Sequence, residues 1–421
     1  MREDFLHYLW RLRRFDTHGL KTTAGDPIEI LDTGIHNTHA GPDFQNAKLR
    51  IGDWVWGGCV EMHVKASEWR LHKHQDDPAY NNVILHVVYE ADVPAERVSG
   101  QFPCLELKRY VPEGVYQRYW GLLHNEYWIP CQHQFFAVPD IVKNSWLDRL
   151  TVERLEGRTA EIEEALERNR NNWEETFYQF LARRFGAKIN AEPFDWLARS
   201  TPNLVLSKHR NNLMQLEALL FGQAGMLEHV FTDEYPKGLQ KEYGFLKHKH
   251  QLEAINPAAW KFLRLRPANF PTVRIAQLAT LAHQSIHLFS KILEIETVQD
   301  IEDLLEVNVG DYWLTHYVFE KESVKRNKSL GQNAIHILII NTIAPFLFLY
   351  GKLKGEGRFK DKALELLEGL PPEDNYIIKG WVKMGVEPDS AHRTQGLLQL
   401  KNLYCDKKRC LECAVGSVVL K

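Results

Sequence analysis

Apolar and polar positions follow two different rhythms along this chain, and the rhythm changes near Ile141. Over Glu3 to Phe15 the apolar residues Phe5, Leu6, Leu9, Trp10 and Leu12 recur at helical spacing, with Arg11, Arg13 and Arg14 toward the end, where cations suit a helix C-terminus. After Gly25-Asp26-Pro27 come Ile28 to Leu31, Ala47 to Ile51, Val55 to Lys65 and Val83 to Tyr89. These segments are rich in β-branched and aromatic residues and separated by Gly, Asp and Asn, a pattern that predicts strands. Between the last two, Ala66 to Asn82 predicts a short helix closed by the Asp77-Pro78 turn. The expected order is helix, three strands, helix, strand, an α/β N-terminal domain around a mixed sheet, with a further strand at Cys104 to Tyr110.

From Ile141 onward helical periodicity with charged outer faces dominates. It marks Leu147 to Asn169, Asn172 to Phe185, Asn211 to Ala224, Pro257 to Leu265, Thr272 to Leu293, Val298 to Leu305, Asn333 to Tyr350 and Asp361 to Leu370. A large, mainly α-helical domain is expected there, followed from Tyr404 by a short cysteine-rich, metal-binding tail. The expected boundaries are 1–138, 139–403 and 404–421.

With 52 Lys and Arg against 55 Asp and Glu, the net charge is −3, so no overall field drives the chain onto nucleic acid or membrane, and any polyanion site must be a local patch. The start, Met1-Arg2-Glu3-Asp4, lacks the continuous apolar stretch of a secretory signal, which points to a cytoplasmic location. The most apolar run, Ile335 to Tyr350, is interrupted by His336, Asn341 and Pro345; it reads as a buried helix broken near Pro345, with no membrane partner.

Candidate chemistry concentrates between Gly41 and Val88. In a strand, Glu61, His63 and Lys65 share one face, so an acid, an imidazole and an ammonium project together. Asp43 lies eighteen residues before Glu61, far enough for the two to sit on adjacent antiparallel strands. Metal-assisted phosphodiester hydrolysis needs carboxylates to hold a cation, here Asp43 and Glu61 with Mg²⁺ or Mn²⁺, and a group such as His63 or Lys65 to manage the attacking water. A Gly-Pro-Asp turn whose carboxylate caps backbone is the plain alternative for Asp43. His72 and His74, two apart, diverge on a helix and chelate jointly only if that stretch is extended. His86, in a segment apolar on both faces, is either a hydrogen-bonded core histidine or a group that orients the site, and Asp77 completes the set of alternative ligands.

Pro42-Asp43 followed by Glu61-Met62-His63 resembles the motif of the PD-(D/E)XK (restriction-endonuclease-like) nuclease superfamily, whose core has the same helix, three strands, helix, strand order. The match departs from that motif where histidine stands in place of lysine; His63-Val64-Lys65 keeps the lysine and loses the acid. The resemblance implies a nuclease fold, with metal binding better supported than turnover. Gly41-Pro42-Asp43-Phe44, Val60-Glu61-Met62-His63, Tyr80-Asn81-Asn82-Val83, Leu85-His86-Val87-Val88 and Cys410-Leu411-Glu412-Cys413 are also similar to segments of an uncharacterised bacterial domain-of-unknown-function family, number 2851, whose name carries no activity.

Cys405, Cys410 and Cys413 offer three thiolates in nine residues, and their Cys-X2-Cys half suits a tetrahedral ion or a cluster. A fourth ligand must come from elsewhere, Cys131 first, then His133, Cys59 and Cys104; zinc and an iron-sulfur cluster are equally compatible. Lys261, Arg264, Arg266 and Arg274, interleaved with Trp260, Phe262 and Phe270, form a candidate nucleic-acid surface, although cations before Pro267 also suit a helix end. The expectation drawn from all this is a divalent-metal-dependent nuclease. The alternatives are an inactive nuclease fold that binds nucleic acid or a protein, and a metal hydrolase of small substrates centred on His72, His74, Asp77 and His86.

Overall fold

The computed structural model describes residues 1–94, 102–285 and 287–421. The chain divides into two compact units, the first made of Met1–Trp146 together with Leu400–Lys421 and the second of Leu147–Gln399. The tail therefore belongs with the N-terminal residues.

In the first unit, α1 (Glu3–Arg11) precedes β1 (Ile28–Asp32), β2 (Ile35–His36), β3 (Phe44–Ile51), β4 (Trp54–Lys65), α2 (Glu68–Leu71), β5 (Val83–Glu90), β6 (Cys104–Glu106) and α3 (Val115–His124). The sheet is mixed, in the order β1-β3-β4-β5-β6, with β2 pairing on β3. β1, β3 and β4 are antiparallel neighbours, whereas β4 to β5 and β5 to β6 are parallel. A parallel pair cannot be joined by a tight turn, and the required crossover is the 66–82 segment. Its register sets Glu61 opposite His86. α1 buries Phe5, Leu6, Tyr8, Leu9 and Trp10, which leaves Glu3 and His7 on its less buried side. Gly34, in the left-handed region at φ +83°, is fixed by close approach: a Cβ there would stand 2.6 Å from the Gln45 carbonyl oxygen.

The 66–82 segment is less regular than its pattern suggests. Only Glu68–Leu71 is α-helical, followed by single 3₁₀ turns at His74–Asp76 and Pro78–Tyr80. The strand expected to Tyr110 ends at Glu106.

The second unit is almost wholly helical, with a core that includes Phe177, Phe221, Trp313, Phe346 and Leu347. The helix expected over Pro257 to Leu265 is a single 3₁₀ turn, Pro257–Ala259; Arg264 at φ +62° is incompatible with a continuing helix. Thr272 to Leu293 divides into Pro271–Gln284 and Leu288–Glu294, and position 286 between them lies outside the described residues. Helices Ala191–Ser200 and Glu234–His250 are additional to those expected. The run Gln332–Lys354 is long and apolar enough to cross a bilayer by length and composition, more so than its interruptions suggest, and most of it is buried in the unit. Ahead of Pro345 it accommodates the missing backbone donor with a π turn at Ile339–Ile343.

Candidate functional site

Asp43 and Glu61 meet through reciprocal hydrogen bonds. The Asp43 backbone N–H donates to Glu61 Oε2 at 3.1 Å, and the Met62 backbone N–H donates to Asp43 Oδ2 at 2.9 Å. Gly41, at φ +100°, makes the turn that delivers Asp43 to the head of β3. The same Asp43 oxygen stands 3.3 Å from His7 Nε2 of α1. Asp43 thus caps backbone, as a Gly-Pro-Asp turn would, and faces the His7 imidazole as well.

Next along β4, His63 is 1% exposed and central to an imidazole cluster. Its Nδ1 lies 2.9 Å from His86 Nε2, and its Nε2 lies 3.2 Å from His72 Nδ1 and 3.7 Å from Glu61 Oε1. His74 Nε2 lies 3.4 Å from the same Glu61 oxygen. One ligand atom each from His63, His72 and His74 falls within 4.8 Å of the others. His72 and His74 do not diverge, because Lys73 between them adopts the left-handed conformation (φ +61°) and ends the helix; their rings then lie 5.4 Å apart. Tyr80 stacks on His74 at 3.9 Å, and buried Trp69 packs edge-on against His74.

Burial dominates the electrostatics. Desolvation, then the Asp43 charge, pushes the Glu61 carboxyl up to about 9. Desolvation, then the neighbouring imidazoles, holds His63 down to about 2, and desolvation with His74 holds His86 down to about 4. Both rings are neutral near pH 7. If His63 Nδ1–H donates to His86, its Nε2 lone pair is directed toward His72 and Glu61, the tautomer a metal ligand needs. Among the described residues, no hydrogen-bond partner reaches the buried Nε2 of His74 or the buried Nδ1 of His86.

The other residues of the stretch sit apart from this cluster. Lys65 is exposed at the end of β4, and its charge acts on Asp92. Asp77 is exposed and accepts from Ala79 N–H at 2.9 Å, capping the 3₁₀ turn that carries Tyr80. His7, and Glu3 whose carboxyl is raised by burial and then by Asp43, are not among the expected residues. Their sequence signal is slight, a one-turn Glu3/His7 spacing on an otherwise apolar helix.

A second cluster joins Cys131 to Cys405, Cys410 and Cys413. All four are free and buried. Burial, then the neighbouring thiols, pushes Cys131 up to about 12 and raises Cys405 well above the ordinary thiol range; Cys410 goes to about 12 by burial and then Cys413. Cys413 is raised by burial against hydrogen bonds from the Gly416 and Val415 backbone and from Trp146. Cys59 lies on β4 and Cys104 on β6, while His133 packs edge-on against Tyr127. In the second unit Lys261, Arg264 and Arg266 are exposed, whereas Arg274 turns to Asn269 Oδ1 at 2.7 Å and Gln277 Oε1 at 3.0 Å.

Residues 3–376 match the family described as "Protein of unknown function (DUF2851)". The chain belongs to this family. The match ends before the three late cysteines. No curated protein and no solved structure matches the chain.

Proposed function

We propose that the first unit is a divalent-metal-dependent phosphodiesterase acting on nucleic acid. The observation that carries this reading is the convergence of Asp43 and Glu61 with His63, His72 and His74. Donors around a tetrahedral ion with bonds of 2.0–2.1 Å stand about 3.3 Å apart, and three separations within this group are 3.2, 3.4 and 3.7 Å. The order of one helix, three antiparallel strands and a crossover to a parallel strand supports the nuclease resemblance of Pro42-Asp43 and Glu61-Met62-His63. Three imidazoles beside carboxylates favour Mn²⁺ or Zn²⁺ over Mg²⁺, which prefers oxygen.

When bound, the cation supplies Lewis-acid activation of water and phosphoryl oxygen. His63, His72 and His74 would hold it, and Glu61 would join them as carboxylate. His86 fixes the tautomer of His63, while Asp43 orients His7, which moves the proton between water and leaving oxygen. Four buried thiols near enough to act on one another's charge suit a second centre, zinc or an iron-sulfur cluster, that has a structural part. A second reading, a nuclease fold that binds without turnover, is favoured by one observation: Lys65, the lysine nearest the motif, is exposed and lies beside Asp92.

The test is metal analysis of the purified chain, followed by cleavage assays on single- and double-stranded DNA and RNA with Mn²⁺, Zn²⁺ or Mg²⁺. Asp43→Ala and Glu61→Ala are expected to lower cleavage by about 100-fold or more, within the range ascribed to metal and acid-base groups. His72→Ala, at an exposed position, removes a ligand without opening the core. Undiminished cleavage in all three overturns the reading; binding without cleavage under any cation promotes the second.

A further inference from the structure

A cavity of the first unit, about 820 Å³, is bounded by α1, α3 and the loop between Cys405 and Cys410. Five cations line it, Arg2, Arg11, Lys407, Lys408 and Arg409, against two acids, Asp4 and Glu412. A chain of net charge −3 thus gathers a local positive excess in one hollow. His7 belongs both to this wall and to the acid cluster, because its Nε2 lies 3.3 Å from Asp43. His36 lines the cavity too, its ring 5.1 Å from that of His7.

We propose that this cavity is the binding site for a single strand of nucleic acid, leading its phosphates past His7 to the carboxylates. The proposal rests on the phosphodiesterase reading and adds the substrate's form and path. Trp120 is 49% exposed and stacks one face on His124 at 3.7 Å, a platform of the kind on which bases stack without sequence preference. A hollow of this volume takes a few nucleotides of one strand and is too small for a duplex. Arg11 and Lys407 are exposed and can meet phosphate.

Lys408 serves the architecture instead: its Nζ donates to the carbonyls of Leu123 and Asn125, tying the loop to the end of α3. Arg409 lies over the Tyr404 ring and pairs with Glu412. Since the loop runs between Cys405 and Cys410, whatever the thiols hold also fixes the cationic wall. The exposed cations of the second unit, Lys261, Arg264 and Arg266, are not needed for this path.

The experiment is fluorescence anisotropy of a labelled oligo(dT) strand and of a duplex of equal length, over a salt series, using the full chain in an Asp43→Ala background so that no strand is consumed. Arg11→Glu with Lys407→Glu is expected to weaken single-strand binding by about tenfold or more and to flatten the salt dependence by roughly 0.7 for each phosphate no longer neutralised. The milder Arg11→Gln with Lys407→Gln is expected to give a smaller change in the same direction, and covers the case in which charge reversal impairs folding. Unchanged affinity in the milder pair, or tighter binding of duplex than of single strand, overturns the proposal. The two readings fail separately: cleavage that is indifferent to Arg11 and Lys407 removes the cavity and leaves the phosphodiesterase, whereas salt-dependent binding through those residues with no cleavage leaves the cavity and removes the phosphodiesterase.

Discussion

Glu217, in the second unit, shows how one buried group sets a measurable property. It is 3% exposed on the helix Leu213–Gln223, and desolvation pushes its carboxyl up to about 7 against weaker lowering by hydrogen bonds from Tyr235 and Trp313. In the unfolded chain the carboxyl returns to its ordinary value, near 4.5. Between those values the native state holds the proton and the unfolded state has lost it, so stability falls as pH rises from about 4.5 to about 7 and levels above. Glu217→Gln keeps the shape and has no proton to lose. Chemical denaturation across that window is expected to show the native slope in the parent and a flatter profile in the variant, with the variant more stable above pH 7 by a few kcal/mol at most.

At the scale of elements, the short breaks matter more than the regular stretches. Enrichment in β-branched and aromatic residues marked the strands that carry the site, because half-buried or buried strands select such side chains. Asp43 and Glu61 could be paired from spacing alone once β3 and β4 were read as neighbours. The meeting of His72 and His74 could not, since it depends on Lys73 leaving the helix through a conformation that lysine seldom adopts. Nor does local sequence show that α1 lays His7 against Asp43, a contact 36 residues apart made by tertiary packing. Pro257 to Leu265 misled for the converse reason: apolar spacing imitates a helix where Arg264 at φ +62° forbids one.

This view gives Lys73 an outsized role. Lys73→Gly is expected to preserve both fold and metal affinity, as glycine enters the left-handed region freely. Lys73→Val should cost about 1–2 kcal/mol, measured by thermal melting. It should also separate the two imidazoles enough to lower Mn²⁺ or Zn²⁺ uptake in a calorimetric titration. Equal uptake by both variants would show that the break does not shape the centre.

At the scale of the whole molecule, the first unit is discontinuous. Residues Leu400–Lys421 are tied into it by Arg14 to Ser417 Oγ at 3.2 Å, Arg118 to the Lys421 carbonyl at 3.1 Å and Lys408 to the end of α3. Gly416 fits so tightly that a Cβ would stand 2.1 Å from the Cys410 carbonyl oxygen. A chain ended at Gln399 is expected to lose protection across residues 1–146 in hydrogen exchange and limited proteolysis, while 147–399 keeps its own core. Equal protection of residues 1–146 with and without the tail would show that the tail is an accessory rather than a component.

Discontinuity also has a consequence in time. On a ribosome moving at 5–20 residues per second, roughly 13–50 s separate the appearance of Trp146 from that of Leu400. Throughout that interval the nascent N-terminal sheet waits for its missing strip, and the intervening helices can fold first as an insert. A polypeptide cut short in synthesis therefore lacks the strip that closes the hollow and keeps only Arg2 and Arg11 of the five cations that line it.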